Sequence, residues 1–77
     1  MKPDINTVKI TATTLILAEG TTTTLEIKKH LRKQGYTAYQ ADISKQMKQI
    51  AQEEGWQAYD NGIFYIYTFP HLGLMPQ

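Results

Sequence analysis

The feature that most constrains the fold is a change of sequence period at Gly55. Before this glycine, apolar residues recur at the spacing of helices. After it the chain reads WQAYDNGIFYIYTF, in which two runs of β-forming residues are separated by Asp60-Asn61-Gly62. Those residue types tolerate the positive φ angles of a tight turn, so the sequence predicts a β-hairpin over residues 56–69. The expected fold class is α+β, with helices first and a hairpin last.

Three helices are predicted before the hairpin, over residues 7–18, 24–34 and 38–54. Alternation around Val8 also permits a strand in the first segment. Thr24 and Thr37 carry hydroxyl groups that can accept a hydrogen bond from a first helical turn, so they are the predicted N-caps of the second and third helices. The remaining segments are predicted to be a loose lead-in (1–6), a threonine linker (21–24) and a tail without assigned structure (70–77).

The third helix has two chemically different faces. Its apolar positions have the spacing of one buried stripe, and they are Ile43, Met47, Ile50 and Ala51. Winding at about 100° per residue puts a basic and amide-bearing set on the opposite face, namely Ala41, Lys45, Lys48 and Gln52. Ser44 falls at the border, and in the second helix Ile27 and Leu31 point inward. The outer face of the third helix can bind phosphates and base edges, so it is a candidate nucleic-acid contact.

Basic residues are concentrated in the middle of the chain, although the net charge of the 77 residues is only +1. Six of the eight lie between positions 28 and 48, where Asp42 is the single acid. Local charge density steers an anionic partner, so we expect these side chains to share one side of the molecule: Lys28, Lys29, Arg32, Lys33, Lys45 and Lys48. The alternative interpretation is that they only solvate two helices.

Composition argues against several classes of protein. The chain has no cysteine and two isolated histidines, so we predict no disulfide, no metal site and no cofactor. His30 is expected to be a half-buried structural residue. No nucleophile–base pair is visible, so no catalytic residue and no enzyme activity are predicted. The apolar run TTLILA is too short to cross a membrane and lacks a signal-peptide pattern, and the protein is expected to be soluble and cytoplasmic.

The second run of the hairpin is apolar or aromatic on both faces. One row contains Ile63, Tyr65, Tyr67 and Phe69, and the other contains Phe64 and Ile66. A hairpin packed against helices needs only one such row for the core. We expect the surplus to form a homodimer or to bind a protein partner through Tyr65, Tyr67 and Phe69. The alternative is that the N-terminal segment or the tail covers it.

A family resemblance is carried by two stretches of the sequence, LRKQGYTAYQADISKQMKQI and DNGIFYIYTFP. They resemble the N-terminal winged-helix DNA-binding domain of bacterial arginine repressors. The first is similar to that family's Leu-x-x-x-Gly-Tyr-x-x-x-Gln-Ala-x-Val-Ser-Arg-x-Ile-x-x-Leu pattern, and the second to its Asn-Gly hairpin ending in Pro. The resemblance implies a winged helix-turn-helix of three helices and a C-terminal hairpin, with the third helix in the major groove.

On this resemblance the groove-facing positions are Gln40, Ser44 and Lys45. Lys45 stands where the family has arginine, and lysine lacks the planar fork that pairs two guanine atoms, so a phosphate contact is expected. Tyr39 and Asp42 stand where the family has threonines, and a carboxylate there repels phosphates although it favours the helix dipole. These residues include no counterpart of the family's arginine-binding domain, so arginine sensing is not expected.

The functional prediction is a small protein that binds double-stranded DNA and regulates transcription. The third helix is expected in the major groove and the second across the phosphate backbone. The predicted DNA-contacting residues are Gln40, Ala41, Ser44, Lys45, Lys48, Lys28, Lys29, Arg32 and Lys33. A module of this size contacts little DNA, so dimerisation is expected. The alternative function is a protein-interaction module that keeps the winged-helix fold and binds its partner through the aromatic hairpin.

Overall fold

Three helices and a small sheet make up residues 1–70, the part of the chain that the computed structural model describes. The elements are α1 (Ile5–Glu19), β1 (Thr22–Thr23), α2 (Thr24–Lys33), α3 (Gln40–Glu54), β2 (Gln57–Asp60) and β3 (Tyr65–Thr68). The sheet is antiparallel with strand order β1-β3-β2, so the last of the three strands lies in the centre. The α+β class is confirmed, and the order of elements is compatible with a winged helix. All of the predicted tail except Pro70 lies outside the described residues.

The first helix begins two residues before the predicted position because Asp4 caps it. The Asp4 carboxylate accepts a hydrogen bond from the Thr7 amide at 2.8 Å, and this bond lowers the pKa of Asp4. The strand alternative around Val8 is wrong, since Val8 is helical and fully buried. The lead-in is not loose, because the Met1 carbonyl accepts a hydrogen bond from the Thr37 amide at 2.8 Å. The N-terminal segment therefore lies against the connection between α2 and α3.

The prediction of a linker over residues 21–24 is wrong. Thr22 and Thr23 form β1 and pair with the central strand. Their β-branched side chains favour the extended backbone conformation of a strand. Thr23, not Thr24, is the N-cap of α2, and its Oγ1 accepts a hydrogen bond from the Glu26 amide at 3.1 Å. One residue thus ends a strand and starts a helix, which joins α2 directly to the sheet.

The third helix begins at Gln40, two residues later than predicted, and Thr37 does not cap it. Its N-cap is Tyr39, whose side chain makes no capping hydrogen bond. At the other end Gly55 adopts the left-handed conformation, with φ 73°, that glycine tolerates. The amides of Gly55 and Trp56 both donate to the same carbonyl oxygen of the last turn. This helix end fixes the position of Trp56 immediately before β2.

The helices and one face of the sheet enclose a hydrophobic core. All four residues predicted for the inner face of α3 are buried, which confirms that assignment. Ile27 and Leu31 of α2 are buried with them, as expected. From the sheet Tyr67 joins the same cluster, and Trp56 and Phe69 pack against it with their ring centroids 5.5 Å apart. The core therefore holds α3 and β3 in fixed positions relative to each other.

The hairpin turn forms at the predicted residues. Gly62 has φ 92°, and the Asp60 carboxylate accepts a hydrogen bond from its amide at 2.8 Å. The Asn61 side chain accepts two more, from the amides of Ile63 and Phe64, both at 2.9 Å. Asp and Asn suit such turns because their short side chains reach backbone amides a few residues on. These bonds hold the loop that connects β2 to β3.

Candidate nucleic-acid interface

The outer face of α3 carries the polar side chains that the sequence predicts, and it is open to solvent. The exposed residues of this face are Gln40, Ala41, Lys45, Lys48 and Gln52. Ser44 is partly buried at the border between the faces, as predicted. Because the inner face is held in the core, the outer face can meet a partner along about 18 Å of helix.

Two side chains of α2 reach the start of α3. The Nζ of Lys28 lies 3.5 Å from Oε1 of Gln40, and the Nε of Arg32 donates a hydrogen bond to the Ala38 carbonyl at 3.0 Å. The first contact puts an ammonium group beside an amide, a pair that can bind a phosphate and a base edge. The second commits part of the Arg32 guanidinium to the protein's own backbone.

The Asp42 carboxylate, which is expected to repel phosphates, has a counter-charge close by. The Nζ of Lys2 lies 3.5 Å from Oδ2 of Asp42 and 5.4 Å from the centre of the Tyr39 ring. Both charged side chains remain well exposed, so the ion pair itself is weak. The Lys2 ammonium nevertheless partly offsets the repulsion that the Asp42 carboxylate exerts on an approaching phosphate.

The six basic residues do not share one side of the molecule, contrary to the expectation. Lys28 and Lys33 are five residues apart on α2 and point about 140° apart around its axis. Lys29 and Lys33 line a depression that also contains Leu15 of α1. His30 is half-buried in the same depression, as expected. Of the three lysines, Lys28 is the one that contacts α3, because the amphipathic helix turns the other two toward α1.

A groove separates the outer face of α3 from the hairpin. Lys45 and Lys48 lie on its helix wall, Trp56 and Tyr65 lie on its sheet wall, and its volume is about 490 Å³. A second depression shares Ser44 and Tyr65 with this groove and extends it toward the hairpin turn. The sequence alone does not predict a role for Trp56, because the face of the hairpin that meets α3 is not evident when both faces are apolar. The available signal was an aromatic residue directly after a glycine helix stop.

The aromatic row of β3 points into the protein, which corrects the predicted interface. Tyr67 is 2% exposed, so its ring is not available to a partner in this structure, and Phe69 is partly buried where it packs against the core. Tyr65 is 48% exposed, with its ring centroid 6.2 Å from that of Tyr67. Burial raises the pKa of Tyr67 because it disfavours the charged phenolate. Tyr65 is therefore the most exposed residue of the predicted interface.

Other apolar side chains are exposed away from the groove. On α1, Ile10 is 65% exposed and Leu17 is 73% exposed, and the two lie two turns apart on one helix face. On the hairpin, Tyr59 is 54% exposed. It pairs with Ile66, so it lies on the sheet face opposite Tyr65. Two further surfaces can thus contact another protein.

Comparison of the chain with protein-family models, curated proteins and solved structures finds no match. The resemblance to arginine repressors therefore rests on the two stretches of sequence alone. Within residues 1–70 no three side chains of His, Cys, Asp or Glu gather as they would around a metal ion. None of the helices there is long and apolar enough to cross a membrane.

Proposed function

We propose that the protein binds double-stranded DNA as a transcriptional regulator, with α3 entering the major groove. The observation that supports this best is the division of α3 into a buried apolar face and an exposed face with Gln40, Lys45 and Lys48. Lysines bind phosphates through their charge, and glutamine can pair with the edge of adenine. The face therefore combines affinity with the means to read sequence. In this role the protein would work in the cytoplasm together with the chromosome.

Phosphate contacts are assigned to Lys28, Lys45 and Lys48. The ion pairs within residues 1–70 involve Lys2 and Lys9, so none of these three ammonium groups is paired with a carboxylate there. Lys28 joins the set because it contacts the first turn of α3. The remaining basic residues of α2 are left out, since two turn toward α1 and Arg32 binds the backbone.

The test is a titration of a labelled random-sequence duplex at several salt concentrations. If α3 binds phosphates, the logarithm of the binding constant should fall linearly with the logarithm of salt, because counterions are released. Lys45→Ala should lower that slope by about one unit and weaken binding to all sequences equally. Lys33→Ala removes the same charge on the α1 side and should leave the slope nearly unchanged. Salt-independent affinity, or equal slopes for the two variants, would contradict the proposal.

A protein-interaction module is the second candidate function. It is favoured by the apolar side chains that the hairpin exposes, Tyr59 and Ile63. Such a module would bind its partner through apolar contacts and would lack the steep salt dependence of phosphate binding. The same titration therefore separates the two functions, because a module of this kind gives no salt slope with random DNA.

A further inference from the structure

The groove between α3 and the hairpin is lined by aromatic rings that a DNA duplex has no means of contacting. Its sheet wall presents the half-exposed ring of Tyr65 and the partly buried ring of Trp56. In a duplex the faces of the bases are stacked on one another, so aromatic side chains cannot reach them unless a base leaves the stack. An unpaired base has a free face on which an aromatic ring can stack.

The charge of the groove selects an anionic occupant. Among the described residues, two lysines line it and no Asp or Glu does. Lys45 and Lys48 are exposed and take no part in the ion pairs and side-chain hydrogen bonds within residues 1–70. The volume of about 490 Å³ lies in the range of small-molecule sites, roughly 300–1,000 Å³. Aromatic rings beside ammonium groups match a nucleotide, which joins a flat base to a phosphate.

We propose that this groove binds unpaired nucleotides of a single DNA strand. A base stacks on Tyr65 and Trp56, and Lys45 and Lys48 hold the phosphates. The proposal rests on the proposed DNA-binding function and shares the two lysines with it, but only the single strand uses the aromatic wall. The adjoining depression continues the groove toward the hairpin turn, where it is lined by Asp60, whose carboxylate accepts a hydrogen bond from the Gly62 amide, and by no basic residue. The phosphates of a bound strand are therefore held at the Lys45 and Lys48 end. The protein would then prefer sites at which a duplex opens.

Trp56 is the single tryptophan of the chain, so its fluorescence reports directly on this groove. We expect an oligothymidine of about ten nucleotides to quench Trp56 emission saturably, and the matching duplex to bind without that quenching. Tyr65→Ala should weaken oligothymidine binding by about tenfold and change duplex binding by less than about twofold. Tyr65→Phe keeps the ring and should bind like the wild type, which shows that a loss in the alanine variant reflects stacking and not misfolding.

Tyr59→Ala is the matched control, since Tyr59 is similarly exposed but lies on the opposite face of the sheet. Its affinity for oligothymidine should equal that of the wild type. The proposal is overturned if oligothymidine leaves Trp56 emission unchanged, or if Tyr65→Ala and Tyr59→Ala lose equal affinity. A change of emission with protein concentration alone also overturns it, because a second copy would then close the groove.

Binding of the single strand in the groove and binding of the duplex can each fail without the other, and the two failures give different results. Quenching by oligothymidine without any binding of the duplex supports the groove and refutes the proposed duplex function. Salt-dependent duplex binding without quenching by oligothymidine refutes the groove and leaves the duplex function in place.

Discussion

Arg32 and Ala38 join the end of α2 to the approach of α3, through a hydrogen bond of 3.0 Å from the guanidinium Nε to the backbone carbonyl. Ala38 is itself buried, so the bond fixes a segment that belongs to the core. The orientation of α3 relative to α2 depends on this segment. A side chain predicted to contact phosphate therefore has a structural role, while its terminal nitrogens remain free to donate elsewhere.

Arg32→Ala should lower the free energy of unfolding by about 1–2 kcal/mol, because the Ala38 carbonyl loses a charged donor. Urea denaturation followed by circular dichroism measures the change. Lys33→Ala, on the neighbouring position, removes the same charge without a described hydrogen bond and should have little effect on stability. Equal losses for the two variants would show that charge, and not the hydrogen bond, is responsible.

Thr23→Ala should destabilise the protein by about 1 kcal/mol, because α2 loses the hydroxyl that accepts a hydrogen bond from the Glu26 amide. Thr21 is exposed and precedes β1, so Thr21→Ala is a suitable control with no expected change. Thermal and urea denaturation would both report the difference. A Thr23→Ala variant as stable as the control would mean that β1 pairing, not the cap, sets the start of α2.

Lys2 should matter for DNA binding through Asp42. If the proposed function is correct, Lys2→Ala weakens duplex binding because the Asp42 carboxylate loses its counter-charge near the phosphates. In an Asp42→Asn background the same Lys2→Ala change should cost less affinity. Duplex titrations of the four proteins give the coupling, which we expect to be below about 1 kcal/mol for so exposed a pair. Identical effects in the two backgrounds would show that Lys2 contacts the DNA by itself.

Alkaline pH should destabilise the protein through Tyr67. Its pKa is raised in the folded state, so its contribution to stability is complete below the ordinary tyrosine value near 10 and is lost as pH rises through the folded value. Tyr67→Phe keeps the ring and removes the proton, so the free energy of unfolding should fall less between about pH 8 and pH 11. Tyr59→Phe removes a hydroxyl from an exposed ring on the opposite face of the sheet, so it serves as the control for the loss of a phenol group. If the free energy of unfolding of Tyr67→Phe depends on pH as in the wild type, Tyr67 is not the cause of the alkaline destabilisation.

Compact DNA-binding modules need self-association for specificity. We predict that self-association of this protein uses α1 instead of the aromatic row of β3. Ile10 and Leu17 are exposed on one face of α1, and two copies packed antiparallel would bring Ile10 of one copy to Leu17 of the other. Ile10→Lys should therefore shift sedimentation toward monomer, with helix content unchanged. Tyr59→Ser is the comparison for the hairpin surface. If Tyr59→Ser alone dissociates the assembly, the hairpin is the interface.

The helices were predictable because their information is local. The inner face of α3 follows from the spacing of four apolar residues, and the hairpin turn follows from residue types that tolerate positive φ. The starts of α1 and α3 each differ from the prediction by two residues, and the N-cap of α2 differs by one. Asp4 and Thr23 accept the first-turn amides, whereas Thr24 and Thr37 offer the same chemistry and are not used.

The sheet was less predictable because its pairing is not local. Thr22 becomes a strand residue only through Tyr67, which lies 45 positions later in the chain. The alternation of β3 showed that Tyr65 and Tyr67 share a face, but two apolar faces gave no reason to choose which one meets the helices. The position of Trp56 in a groove with Lys45 depends on that choice. The candidate single-strand site therefore could not be predicted from the sequence, because it depends on which face of the sheet packs against α3.

The central place of β3 in the sheet also sets the order in which the protein can be completed during synthesis. Both β1 and β2 leave the ribosome before β3, yet each of them pairs only with β3 in the described structure. The segments of all three helices precede β3, but β1 and β2 keep unpaired edges until residues 65–68 are in place. A chain truncated before β3 would therefore contain the three helical segments but could not form the sheet, and unpaired strand edges of this kind invite association with other chains.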